Sequence, residues 1–278
     1  NKVILNSEGI VIYEDSEITT PELTHTYKEE ADEEAVINLN ANTFAKITDA
    51  QGTELEEDRD YIVTKDRGTL SIEMQSEYLA TLDTGEHTYY VSVNPQGVET
   101  TAVTLAYSFV VNVTAKELTV TGATAASRDY IANDKTVDIT GITLSGIQGT
   151  DDVSVNLTGV KGTLSSDNAG TYTSLTLPAL TLTGADKGNY ELVQPTGPVT
   201  VLVGIEKLNA EIIVDYPSYG KIFGDSPFSL GVSDNNPEAE VTYESDNEDV
   251  ATVTSEGIVT IHKVGLAQIT VSLAESTN

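Results

Sequence analysis

Apolar residues fall at every second position along much of this chain, and that period admits one kind of element. Val103, Leu105, Tyr107, Phe109 and Val111 form one unbroken series, and Ile269, Val271 and Leu273 form another. Successive side chains of a strand point to opposite faces, so a two-residue period lines one face of a sheet with hydrocarbon. Leu175 and Leu177, then Leu180 and Leu182, repeat the pattern on either side of Pro178. Gly, Asn, Asp and Pro interrupt these runs about every 8–12 residues, the spacing of antiparallel sandwiches rather than of strand–helix units. One stretch competes: residues 26–36 (TYKEEADEEAV) are good helix formers, with Tyr27, Ala31 and Ala35 at helical spacing. That stripe is thin and alternation resumes at once in 36–40 (VINLN), so we read an acidic loop leading into a strand. A single helical turn is expected near 76–82 (SEYLATL).

Charge narrows the partners. The chain of 278 residues carries 44 acidic against 14 basic side chains, a formal net charge of −30. Phosphate contact needs clustered Lys and Arg, so nucleic acid is an unfavourable partner, and anionic lipid equally so. With no cysteine there is no disulfide, thiol catalysis or thiolate metal site. Every apolar run is shorter than the roughly 18–20 residues a membrane span needs. The chain opens on Asn1 rather than Met, so any signal and anchor are expected outside it.

Two similar junctions divide the chain. Residues 113–118 (VTAKEL) and 203–208 (VGIEKL) each close an apolar strand, pass two charged residues and open another. Cutting there gives modules 1–114, 115–204 and 205–278 with net charges of −16, −4 and −10. Residues 1–14 fall outside the pattern of the first module.

Each module resembles a known family. Residues 39–44 (LNANTF), Ile47, 55–63 (LEEDRDYIV) and 77–85 (EYLATLDTG) resemble the immunoglobulin-like X modules of bacterial cellulases and cellulosome scaffolds. Tyr78, Leu79 and Leu82 would then pack one helical turn over a sandwich end, with 88–93 (TYYVSV) as the next strand. Residues 117–121 (ELTVT), Arg128-Asp129-Tyr130, 144–153 (LSGIQGTDDV) and 182–190 (LTGADKGNY) resemble the repeats named for a Tyr-Asp-Gly motif in bacterial surface adhesins. Here Tyr130 is followed by Ile131-Ala132-Asn133-Asp134 instead of Asp-Gly. Residues 220–230 (GKIFGDSPFSL) and 243–271 (YESDNEDVATVTSEGIVTIHKVGLAQITV) resemble the bacterial Ig-like group 2 domain, with Tyr243 where that family often has Trp. Gly257 would supply a turn and Gly265 a positive-φ bend. By this resemblance the last sheet should have an open edge, completed by residues outside the chain. The resemblances imply an all-β protein of three tandem immunoglobulin-like β-sandwich modules, with a β-grasp-like sheet as the alternative for the middle one.

Candidate chemistry is sparse. Acidic clusters at Glu29–Glu34, Glu54–Asp60 and Asp246–Asp249 would suit calcium held by hard oxygens, but none follows the EF-hand spacing, and a solvated, self-repelling surface explains them more simply. No cofactor is implied otherwise. His25, His87 and His262 stand in no metal or triad spacing, and paired carboxylates lack a cleft in small sandwiches, so no catalytic residue is assigned. Sugar recognition stacks pyranose faces on aromatic rings; with no Trp, tyrosine must serve. Tyr89 and Tyr90 are adjacent in one strand, so if Tyr89, Val91 and Val93 are core, Tyr90 faces out. Tyr216 and Tyr219, with Phe223 nearby, form the other aromatic patch.

The expected function is therefore non-catalytic: a monomeric, extracellular or cell-surface segment of a bacterial protein, serving as stalk or adhesion region or binding a host or dietary glycan or a surface protein. The alternative is an accessory region of a secreted polysaccharide-degrading enzyme.

Overall fold

A computed structural model describes residues 2–6, 9–96, 104–208, 211–235 and 239–274. Val103 of the first alternating series lies outside the described residues. Strands run in the order β1 (Lys2–Asn6), β2 (Gly9–Tyr13), β3 (Glu17–Ile18), β4 (Glu22–Thr26), β5 (Glu33–Asn38), β6 (Thr43–Asp49), β7 (Tyr61–Asp66) and β8 (Thr69–Met74). The helical turn α1 (Ser76–Leu79) is followed by β9 (Gly85–Asn94), β10 (Leu105–Thr114), β11 (Lys116–Ala125), β12 (Arg128–Asp129), β13 (Thr136–Ser145), β14 (Ser154–Val155) and β15 (Lys161–Thr163). Then come β16 (Gly170–Leu175), β17 (Leu182–Thr183), a 3-10 turn (Lys187–Asn189), β18 (Tyr190–Val193) and β19 (Val199–Glu206). The last are β20 (Ile212–Val214), β21 (Phe228–Ser229), β22 (Val232–Asp234), β23 (Val241–Ser245), β24 (Ala251–Val253), β25 (Ile258–Ile261) and β26 (Ile269–Leu273).

One compact unit comprises Asn1–Thr121, Thr143–Asn156 and Ala179–Pro195. Its main body is a sandwich of two four-stranded sheets, β4-β10-β9-β6 and β3-β5-β8-β7. Alternation decides what fills it. Tyr89, Val91 and Val93 of β9 and Phe109, Val111 and Val113 of β10 point inward, against Ala35, Ile37, Leu70, Ile72 and Met74 of the other sheet. Burying each such large side chain contributes about 1.5–3 kcal/mol. Antiparallel neighbours dominate, but β4, the first strand of its sheet in sequence, lies parallel to β10, the last, with Glu22–Thr26 opposite Val110–Thr114. The helix formers of 26–36 give a turn and then β5, because Ala35 and Ile37 alternate into the core at 0% exposure and Lys28 adopts a left-handed φ of 50°. Burial of that alternating face outweighs a helix too short to hold itself. The turn α1 starts with Asp32 accepting from the Ser76 N–H at 2.6 Å and buries Leu79 completely, with Tyr78 and Leu82 packed beside it. Asn42 donates to Glu14 O (2.7 Å) and Ser16 Oγ (3.0 Å), and Tyr107 Oη accepts from Ser16 N (3.1 Å), so the LNANTF run holds the segment that enters the sandwich. Strands β1 and β2 form a separate hairpin.

The same unit takes in part of the second module. Residues Lys116–Thr119 pair parallel with β18, and Leu118, Val153 and Tyr190 join the apolar cluster of the first sandwich.

The other unit comprises Gly122–Ile142, Leu157–Pro178 and Thr196–Asn278. Strands β12 and β16 flank β19, and Val201, Val203 and Ile205 of β19 pack with Tyr130, Val137, Ile139, Leu164 and Leu175. A grasp-type sheet needs a helix lying across it. Among the described residues of the middle module the helical ones are the three of the 3-10 turn, so the sandwich reading stands and the grasp reading falls. Among its described residues the third module has three small sheets, β20-β22, β21-β25-β24 and β23-β26, around Leu230, Ala251 and Val259. Gly257 takes the expected turn conformation (φ 73°). Gly265 does not adopt a positive φ: it is glycine for space, since a Cβ there would lie 2.6 Å from Val250 Cγ2. Among the described residues β26 pairs with β23 alone, leaving its other edge open.

Candidate functional site

Tyr90 stands near the middle of the outward face of sheet β4-β10-β9-β6. It is 40% exposed while Tyr89 is 1% exposed, the split that strand alternation requires. Register places Ser108 of β10 and Thr48 of β6 directly across from it. Thr88 and Ser92 flank it on its own strand, and Lys46, held to Glu54 at 3.1 Å, lies one pair further along β6. On β10, Asn112 and its parallel partner Thr24 extend the same face. The result is a pleated surface on which Thr48, Thr88 and Ser108 surround one aromatic ring, with Val110 opposite Thr88 and Ser92 buried. Directly opposed residues are about 4.5–5.5 Å apart, so a ring lying on Tyr90 would bring its hydroxyls within reach of Thr48 and Ser108. The phenol of Tyr90 makes no hydrogen bond among the described residues, whereas the buried Tyr89 hydroxyl accepts one from Tyr78 at 3.2 Å. Burial pushes the Tyr89 phenol well above its ordinary range, marking it as a core group.

Tyr216 and Tyr219 do come together. Their rings meet edge to face at 5.6 Å, and Tyr219 in turn packs on Phe228 at 5.2 Å. They line a groove of about 930 Å³ in the third module, with Lys221 placed 4.3 Å from the Phe228 ring centre. Their environments differ. Tyr219 is half-buried in the small core and donates its hydroxyl to Leu230 O; Tyr216 is 63% exposed and Phe223 60% exposed. The phenol of Tyr219 is raised by desolvation and by Asp215 and Tyr216. Tyr90 belongs to the first module and this pair to the third.

Several acidic groups bond the chain's own backbone. Asp49 accepts from the N–H groups of Gln51 and Thr53, and Asp246 from Gln268. Asp60 accepts from Glu56 N and forms two bonds with Arg59, and these bonds hold its carboxyl below the usual range against the opposing effect of burial. Among the described residues no three His, Asp or Glu side chains converge as metal ligands would. The histidines stay apart: His25 is buried beside Glu33, His87 bonds Asp83 O and His262 bonds Thr252 Oγ1.

The chain matches three family models in succession: carbohydrate binding domain X2 over residues 18–104, YDG domain over 114–197 and bacterial Ig-like domain (group 2) over 229–277. Three module types follow one another. This order is the one read from the sequence, and Tyr90 falls inside the carbohydrate-binding match. No curated protein matches the chain. Solved structures similar to it include a three-domain I-band fragment of titin (TM-score 0.34, 10% identity, 73% of this chain and 72% of that one). A second is another titin tandem (0.27, 13%, 94% and 96%), and a third is extracellular cadherin domains 1–4 of protocadherin gamma B7 (0.28, 13%, 93% and 75%). The described residues are almost entirely β-strand, turn and loop, and the first module is a two-sheet sandwich. Among the described residues no helix is long and apolar enough to cross a membrane.

Proposed function

We propose that this chain is a non-catalytic stretch of a bacterial surface protein that binds a neutral polysaccharide on the Tyr90 face of its first module. The observation that carries the reading is one exposed aromatic ring framed by Thr48, Thr88 and Ser108 on an open sheet, inside the span matched by a carbohydrate-binding family. Aromatic rings bind the apolar faces of sugars, while hydroxyls on a pleated surface can exchange hydrogen bonds with equatorial ring hydroxyls. The face is shallow, which suits an extended chain rather than a single sugar. A net charge of −30 repels uronic-acid or sulfated polymers at low salt and leaves neutral ones unaffected.

Parallel pairing of β4 with β10 favours a stalk role for the same module. Tension applied where the chain enters and leaves pulls these two strands in opposite directions along their length. All the intervening hydrogen bonds are then loaded together instead of one at a time. Such a module suits a protein that holds its ligand, or its neighbours, away from a cell wall.

Affinity electrophoresis of the intact chain through gels containing xylan, mannan or β-glucan tests binding. Retardation by at least one neutral polymer, lost on Tyr90→Ala and kept on Tyr216→Ala, supports the assignment. Unretarded migration in every gel refutes glycan binding, and retention lost only on Tyr216→Ala moves the site to the third module.

A further inference from the structure

A bond network of large sequence separation in the first unit joins its first sandwich to the second module's residues. Tyr27 and Lys28 sit in the turn after β4, and Asp151 belongs to the loop between β13 and β14. Tyr27 Oη donates to Asp151 Oδ2 at 3.0 Å, Tyr190 Oη donates to the same oxygen at 2.6 Å, and Lys28 Nζ pairs with Oδ1. The Gln148 N–H donates back to Tyr190 Oη at 3.0 Å, and the Tyr27 and Tyr190 rings meet edge to face at 5.5 Å. Tyr27 and Tyr190 are 4% and 6% exposed, and the Asp151 side chain 9%. A second anchor lies at Asn189. Its Oδ1 accepts from Thr84 N at 2.9 Å, its Nδ2 donates to Asp83 Oδ1 at 2.9 Å, and Thr84 Oγ1 donates to Gly188 O at 3.0 Å. Asn189 is itself 6% exposed.

Both anchors are presented by one tight element. Gly184 (φ 112°) lets the chain turn against Asp152, whose carbonyl oxygen a Cβ would meet at 2.1 Å; the 3-10 turn then delivers Asn189 and Tyr190 side by side. A joint made of apolar contact alone can slide. Here two separated anchors use directional bonds, several of them buried, and two points of attachment on one rigid element remove both twist and bend.

We propose that Asp151 and Asn189 weld the first sandwich to this part of the second module, so that the two move as one body and the joint between them is not a hinge. This inference is independent of glycan binding.

Amide exchange in the full-length chain tests it. Thr84 N–H finds its acceptor across the joint, so its protection reports whether the joint is closed, and Asp151 does not touch Thr84. In the parent, Thr84 should exchange as slowly as amides of β9 and β10. In Asp151→Ala its exchange should quicken at least tenfold while β7 and β8 amides keep their rates. Because the chain lacks cysteine, spin labels at Thr69→Cys and Glu191→Cys give a second readout: a narrow distance distribution in the otherwise unchanged chain, broadened in Asp151→Ala/Asn189→Ala. Fast exchange at Thr84 or a broad distribution without either joint substitution overturns the proposal and needs no joint variant to fold. Unchanged Thr84 exchange in Asp151→Ala, or an equally narrow distribution in the double variant, overturns it as well.

Discussion

Replacing Asp151 by Ala removes the one acceptor shared by Tyr27, Tyr190 and Lys28. Leaving a buried donor unpaired costs about 1–3 kcal/mol, and two phenols are so affected. Lys28 is 31% exposed, so its ion pair adds at most about 1 kcal/mol. The bonds form one network and do not add fully; a total near 3 kcal/mol follows, about 100-fold in the folding equilibrium. For a unit of this size that lowers the melting temperature by roughly 6–12 °C. The loss should also depend on pH. Burial raises the Asp151 pKa, but bonds from Lys28, Tyr190 and Tyr27 outweigh it and hold the carboxyl below its ordinary value. A depressed carboxylate stabilises fully above its unfolded pKa, about 3.9, and ceases to as pH falls through its folded value. At the alkaline end, burial and the Asp151 bond push Tyr190 up to about 12, burial raises Tyr27, and the Asp151 bond raises Lys28, so all three donors keep their protons beyond pH 9. Calorimetry of parent and Asp151→Ala should therefore show a constant gap from about pH 5 to 9 that closes below about pH 4. A gap under about 0.5 kcal/mol at pH 7, or one that persists undiminished at pH 2, would refute the reasoning.

Tyr90→Ala should weaken polysaccharide binding about 30-fold: with 40% of its surface exposed, the ring offers up to about 90 Å² for burial, worth near 2 kcal/mol, and isothermal titration reads the loss. Gly184→Ala combines a positive φ with a backbone clash and should cost at least about 2 kcal/mol by urea titration, while Gly188→Ala, which has open space around it, should not. Leu79→Ala empties a fully buried site under α1 and should cost about 2–5 kcal/mol by the same titration.

Faces were legible in the sequence where partners were not. The two-residue period alone sends Tyr89 inward and Tyr90 outward, because a strand leaves no other choice. That Thr48 and Ser108 should frame Tyr90 depends on strand register, which alternation alone does not set. A signal was present: placing Tyr107 and Phe109 in the core puts Ser108 outward, and a register guess would then have grouped it with Tyr90. Nothing comparable reveals the joint. Tyr27 and Asp151 are 124 residues apart, and the acidic loop before β5 reads as plain solvent-exposed charge until Lys28 is seen paired. Gly265 shows the converse limit, since a glycine needed for room beside Val250 looks in sequence like one needed for its φ.

The joint and the Tyr90 face make sense together. Long-range repulsion among surplus carboxylates favours extension but fixes no angle between modules, because screened charge falls off smoothly with distance. A direction has to come from short-range bonds. Asp151 supplies one by receiving three donors along distinct lines, and Asn189 supplies a second some forty residues on in the chain. Two such points fix the orientation of the first sandwich, and with it the plane that carries Tyr90. A shallow sheet face buries little of its ligand and so depends on several contacts made at once along an extended polymer. Presenting that face at a fixed attitude lowers the entropy lost when a second copy engages the same polymer, since fewer relative motions remain to be frozen. Loosening the joint with Asp151→Ala should accordingly leave the affinity of one chain for a short oligosaccharide unchanged, while weakening retention of many chains on an immobilised polysaccharide.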